Sequence, residues 1–321
     1  MLQALRWLAV IATIGMGIVL LQGTLVTNTN SAYGCGSTWP LCHGKLIPEF
    51  RGLGAVATMI EFSHRAVVPI ESALILVLTA GALWYHGRRR EIQVLAPAMI
   101  FFLFLQAVLG GLAVLYPTSA GILALHFGIS LMAFASIMLT ASVLLEIDGV
   151  DAIRDRPMPG SLRLVIWGSM LYTYLEVYLG AYVRHAGASL SCLDWPLCNG
   201  NVIPRFVTGV APQFGHRVGA LGAVALLCWM LALTWGARQS RPDLFRAARI
   251  AVLLVVLQGI SGGFVVLTKL SIASTLVHSG LIMLLFGVQS YLCLHTISRP
   301  ARAHNTQPTT KRQTRAAPQS A

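Results

Sequence analysis

The chain has 321 residues, 56% of them hydrophobic and only 11% charged, with a mean hydropathy of +0.71. That balance excludes an ordinary soluble domain and describes a polytopic membrane protein. The formal net charge of +12 is a topology signal and not a nucleic-acid footprint, because no soluble domain is left to carry a binding face.

Eight apolar runs are long enough to cross a bilayer, which takes about 20 residues. They lie near 7–27, 61–84, 94–115, 121–145, 164–183, 214–235, 248–267 and 272–294. The first is too long for a cleaved signal peptide and is expected to remain as a helix. With the amino terminus inside, sixteen of the 23 Lys and Arg residues fall on the inner side and seven on the outer. Both termini are therefore expected to be cytoplasmic. The absence of an Arg/Ser-rich transit peptide points to a bacterial plasma membrane. Residues 299–321, rich in Thr, Gln, Pro and Arg, read as a disordered basic cytoplasmic tail.

The runs form an internal repeat. Glu61-Phe62-Ser63-His64-Arg65 is echoed by Gln213-Phe214-Gly215-His216-Arg217, and His126 by His278. Gln106, Gly110 and Gly111 of the third run recur as Gln258, Gly262 and Gly263 of the seventh. All these pairs are 152 positions apart. The expectation is an all-α protein of two four-helix halves, 1–150 and 151–298. Because four is even, the repeat is parallel, with a pseudo-two-fold axis along the membrane normal. The paired glycines admit either close helix packing or a flat ligand.

An ionisable residue inside a span is a functional hypothesis by default. His64, His126, His216 and His278 fall in the first turns of four helices that all run inward, so they share one depth. Facing helices of a bundle can then join two imidazoles per half around a cofactor. Zinc wants three or four protein ligands, and neither half offers a carboxylate pair or a thiolate within the membrane to complete such a set. Two trans imidazoles suit a bis-histidine haem. Arg65 and Arg217 are candidates for pairing with its propionates, or else anchor helix ends at the interface.

Cys35 with Cys42 and Cys192 with Cys198 lie in the outer loops, where oxidation is permitted. Their spacing can close small disulfide loops, the pairing expected here, with free reactive thiols as the alternative. Cys228 and Cys293 read as small buried hydrophobes. The halves differ three residues before the first histidine, where Glu61 faces Gln213 across the repeat. A carboxylate there can move protons or balance a developing cation, which an amide cannot; otherwise Glu61 anchors a helix end or pairs with Arg65.

Taken together, two four-helix halves, the Cys35-x6-Cys42-His43-Gly44 and Cys192-x5-Cys198-Asn199-Gly200 loops, the Glu-Phe-x-His-Arg and Gln-Phe-Gly-His-Arg motifs and the two later histidines resemble the haem A synthase family. The likeness runs from residue 1 to about 298. It implies a membrane oxidoreductase that hydroxylates one methyl of haem O twice, the gem-diol then losing water to give the formyl group of haem A, for terminal oxidases. It further implies that His216 and His278 hold a low-spin haem b, that His64 and His126 hold the substrate haem, and that Glu61 is the essential acid. A cysteine pair in the first outer loop marks the bacterial type. Haem O synthase is the implied partner, and an electron donor is needed that no motif names. A di-haem b-type electron carrier and a haem transporter or chaperone are the competing readings; the first does not account for the difference between Glu61 and Gln213, and the second predicts haem exchange with no formyl product.

Overall fold

The computed structural model describes residues 1–146 and 156–297. Eight helices follow one another among the described residues: α1 Leu2–Asn28, α2 Ala55–His86, α3 Arg90–Leu115, α4 Ala120–Glu146, α5 Gly160–His185, α6 Val210–Gly236, α7 Pro242–Leu267 and α8 Ile272–Thr296. The all-α expectation holds among the described residues. The expected boundary at 150/151 and the tail at 299–321 lie outside them.

Seven of the helices are long and apolar enough to cross a membrane. The other, α5, has 26 residues, about 39 Å at 1.5 Å per residue, but falls short in apolarity. Its polar groups are met by neighbouring helices. Tyr172 Oη donates to Gly219 O at 3.0 Å and Tyr178 Oη to Gly121 O at 3.2 Å, while Thr173 accepts from Gln289 at 3.0 Å. Buried polar groups in lipid persist where such partners exist.

Helix ends follow ordinary chemistry. Pro242 opens α7 where its missing N–H costs nothing, with Asp243 in the first turn. Ser271 caps α8 by accepting from Ser274 N at 3.2 Å. Hydropathy begins the second span at 61, but α2 starts at Ala55. Glu61 therefore sits within its second turn, not at its mouth.

Within 1–146, α1 packs on α2 and α4, and α3 on α2 and α4; within 156–297, α5 packs on α6 and α8, and α7 on α6 and α8. The two sets meet along α4–α5, α1–α8 and α4–α8. At the end opposite the disulfide loops they share a buried ionic cluster. His295 Nδ1 lies 3.1 Å from Asp243 Oδ2 and its Nε2 lies 3.1 Å from Glu146 Oε2. Arg241 donates to both Asp243 oxygens and to His295 O. Cys293 is buried as expected, whereas Cys228 is exposed: a thiol facing outward is as apolar a choice as one facing the core, and hydropathy cannot separate them.

Candidate functional site

Each disulfide loop is pinned to the helix that follows it. Cys35–Cys42 and Cys192–Cys198 are both bonded, so the pairing expected from spacing is present. In the first loop, Cys35 N donates to Glu61 Oε2 at 2.7 Å, and Arg65 pairs with the other carboxylate oxygen. The same guanidinium donates to Thr38 O at 2.6 Å and Leu41 O at 3.0 Å. In the second loop, Cys192 N donates to Gln213 Oε1, and the amide's NH2 returns a bond to Ser189 O at 2.6 Å. Arg217 donates to Leu197 O and, at 3.3 Å, to Cys192 O. Both arginines thus clamp loop carbonyls.

The glycine pairs have two distinct tasks. The second glycine of each pair seats a loop tryptophan: a Cβ at Gly111 would lie 3.4 Å from Trp39, and one at Gly263 only 2.8 Å from Trp195. The first faces a histidine ring. Gly110 faces His126 and Gly262 faces His278, while Gly23 of α1 faces His64 and Gly180 of α5 faces His216. So each even-numbered helix supplies an imidazole and the helix before it a glycine. The fit is tightest at Gly180, where a Cβ would fall 2.6 Å from His216 Cε1.

All four histidines are half-buried. His64 lies within electrostatic range of His126, and His216 of His278. Their ring nitrogens are not all treated alike. Nδ1 of His64, of His126 and of His216 is buried with no hydrogen-bond partner, which is unlike a core histidine kept for packing. His278 Nδ1 is 2.9 Å from Ser261 Oγ and its Nε2 is 3.1 Å from Gln258 Nε2. His216 Nδ1 approaches Glu176 Oε1 to 2.6 Å, an ion-pair contact off the line of an aligned hydrogen bond.

Glu176 and Glu71 are the residues that sequence reasoning missed. Both are carboxylates in apolar runs, a signal that by itself marks a functional candidate, but neither has a repeat partner. Glu71, on α2 and buried to 4% exposure, packs against Gly15 of α1. His185, also passed over, is within electrostatic range of His126 from the other half.

Two pairs of histidines, each pair enclosed by a four-helix set and covered by a disulfide-closed loop, define a multi-pass helical membrane protein with twin histidine centres. Residues 54–290 match the family described as cytochrome oxidase assembly protein (COX15-CtaA), and the chain belongs to that family. It is 38% identical over 311 residues to a protein named heme A synthase from Geobacillus thermodenitrificans, covering 94% of this chain and 96% of that one. It is 41% identical over 309 residues to the heme A synthase of Symbiobacterium thermophilum, covering 92% and 96%. With the heme A synthase of Lysinibacillus sphaericus the identity is 40% over 295 residues, covering 90% and 94%.

Proposed function

We propose that this chain is a haem A synthase, a multi-pass membrane oxidoreductase that converts a methyl group of haem O to the formyl group of haem A. Its family and relatives of that name support the activity. The residues present fit two haems: each half offers two half-buried imidazoles, each facing a helix glycine that makes room for the ring. In this reading the halves are parallel repeats about an axis along the membrane normal. Both termini are cytoplasmic, and the disulfide loops lie outside a bacterial plasma membrane.

The treatment of Nδ1 supports a division of labour. A permanent cofactor gains from ligands oriented through their second nitrogen, and His216 and His278 have such neighbours in Glu176 and Ser261. These two hold haem b, which supplies one-electron transfer when bound. His64 and His126, whose Nδ1 atoms have neither a hydrogen bond nor a carboxylate beside them, take the exchanging substrate haem O. Haem O synthase is the partner that would deliver it.

The observation that carries the reading is the contrast between Glu61 and Gln213 at one repeated seat. Each accepts the N–H of a disulfide cysteine. An amide suffices for that structural task, so the carboxylate is surplus to it. A buried charge is several kcal/mol harder to keep than an amide unless it is paired. Glu61, one helical turn before His64, holds its charge against Arg65 and can accept protons as the methyl is oxidised. Arg65 and Arg217 hold the loops over the sites and are the residues that would pair with propionates.

Extraction and mass analysis of the haems in the purified protein tests this. Haem b accompanied by haem O or haem A supports a synthase. Two equivalents of haem b and nothing else would make the chain a di-haem electron carrier.

A further inference from the structure

Among the described residues Glu176 is the one carboxylate in direct contact with a site histidine, and its placement is built by both helices it touches. On α5, Tyr172, Glu176 and Gly180 recur at four-residue spacing and so form one stripe. On α6, His216, Gly219 and Gly222 form the facing stripe at three-residue spacing. The stripes interlock pair by pair. Gly180 receives the His216 ring, Gly219 receives the Glu176 carboxylate, and Gly222 receives the Tyr172 phenol. Tyr172 Oη fastens the far end by donating to Gly219 O at 3.0 Å. A side chain at Gly219 would occupy the space of the carboxylate. Glu176 Oε1 therefore rests 2.6 Å from His216 Nδ1, at 13% side-chain exposure.

We propose that Glu176 is a positioning residue that tunes the redox potential of the haem held by His216, an inference that rests on the assignment of His216 as an iron ligand. The imidazole offers two nitrogens, and the carboxylate lies against Nδ1 and its proton, which leaves Nε2 as the metal-binding atom. An anion at Nδ1 draws that proton toward itself and gives the ring imidazolate character. A more basic ligand favours ferric over ferrous iron, so the potential falls. The first half has no counterpart. No described carboxylate lies against His64: Glu61, one turn before it on α2, is turned to Cys35 N and Arg65, and Glu71, two turns after it, lies against Gly15. The two centres are thereby set at different potentials by one side chain, with the low one in the half that lacks Glu61.

The test is redox titration of haem b in the purified Glu176→Gln protein, with Glu71→Gln as a control of equal chemistry. Glutamine keeps an acceptor near Nδ1 and removes the charge. E176Q is expected to retain haem b and shift its ferric-to-ferrous equilibrium at least tenfold toward ferrous iron, a rise of about 59 mV for a one-electron couple, while E71Q leaves it in place. Haem b bound at an unchanged potential in E176Q overturns the inference and leaves the ligand assignment intact. Retention of an unaltered haem b in His216→Ala overturns the assignment beneath it. If E176Q does not accumulate, the low-spin ferric EPR signal of the unmodified protein decides. Imidazolate character narrows the spread of g values, and the spread of a neutral bis-imidazole haem refutes the proposal.

Discussion

The two outer loops are built to one plan and differ in one group. Each is closed by a disulfide, clamped by an arginine and tied by a cysteine N–H to the side chain three residues before a histidine. In one half that side chain is Glu61, paired with Arg65. In the other it is Gln213, whose NH2 fills the remaining bond to Ser189 O. The second half shows that the architecture needs only an acceptor. What the first half adds is charge, and charge is what an oxidation that releases protons requires. The histidine pairs differ in the complementary sense: in the second half a carboxylate lies against one Nδ1 and a hydroxyl against the other, while in the first neither Nδ1 has a hydrogen-bond partner.

The strongest break of this comparison is removal of a ligand. His216→Ala and His278→Ala are each expected to abolish the low-spin haem b spectrum, because a bis-histidine site loses an axial bond in either case. The same change at His64 or His126 should spare that spectrum and remove haem O and haem A from the extracted pigment. Next come the glycines. Gly180→Ala places a methyl 2.6 Å from the His216 ring, an overpacking that costs about 1–3 kcal/mol and should lower haem b occupancy. At Gly23 the corresponding gap to His64 is 3.6 Å, an ordinary contact, so Gly23→Ala should leave both haem content and thermal stability near wild type.

Smaller effects are expected in the loops. Cys35→Ser opens a loop closed over 7 positions and Cys192→Ser one closed over 6, each losing about 2 kcal/mol in thermal melts. Only the first should also lower haem A formed per haem b, since Cys35 N holds Glu61. The smallest effect is one of pH. Asp194 accepts from Gly200 N at 2.7 Å and Asn199 N at 2.5 Å. The Gly200 amide foremost, then Asn199 and the Arg217 charge, hold its carboxyl below the usual carboxylate range. A depressed folded value means that this stabilisation is complete above the unfolded carboxylate value, about 3.9, and is lost as pH falls through the folded one. Amide exchange at Asn199 and Gly200 should therefore quicken in acid, with no matching change at His43 and Gly44, whose loop has no carboxylate between Cys35 and Cys42.

Much of the fold and site was legible because the repeat preserves spacing. Four histidines and two glycine pairs at a fixed interval announce two centres, and the disulfides followed from loop position together with the short spacing within each cysteine pair. What escaped was whatever the repeat does not copy. Glu176 is invisible to a search for echoes, as its meaning lies in a neighbour 40 positions away, His216. The glycine pairs signal space without saying what fills it, and the tryptophans that do come from a distant loop. His295 meets Glu146 and Asp243, at separations of 149 and 52, which no local pattern encodes. The start of α2 was misplaced because residues 55–60 lie outside the first charge, Glu61, and a charge reads as a boundary when its partner Arg65 is not seen.

The central claim is that the carboxylate at one repeated seat makes the first half the reacting half. The direct measurement is haem A formed per haem b in membranes carrying Glu61→Gln, alongside the reciprocal Gln213→Glu. Glutamine can keep the bond from Cys35 N, as Gln213 does with Cys192 N, so folding and haem b should persist in E61Q. The predicted result is a collapse of haem A per haem b, or a stall at the first hydroxylated product, in E61Q, with no new activity gained in Q213E. An unchanged ratio in E61Q would contradict the account and return Glu61 to the anchoring role that Gln213 fills.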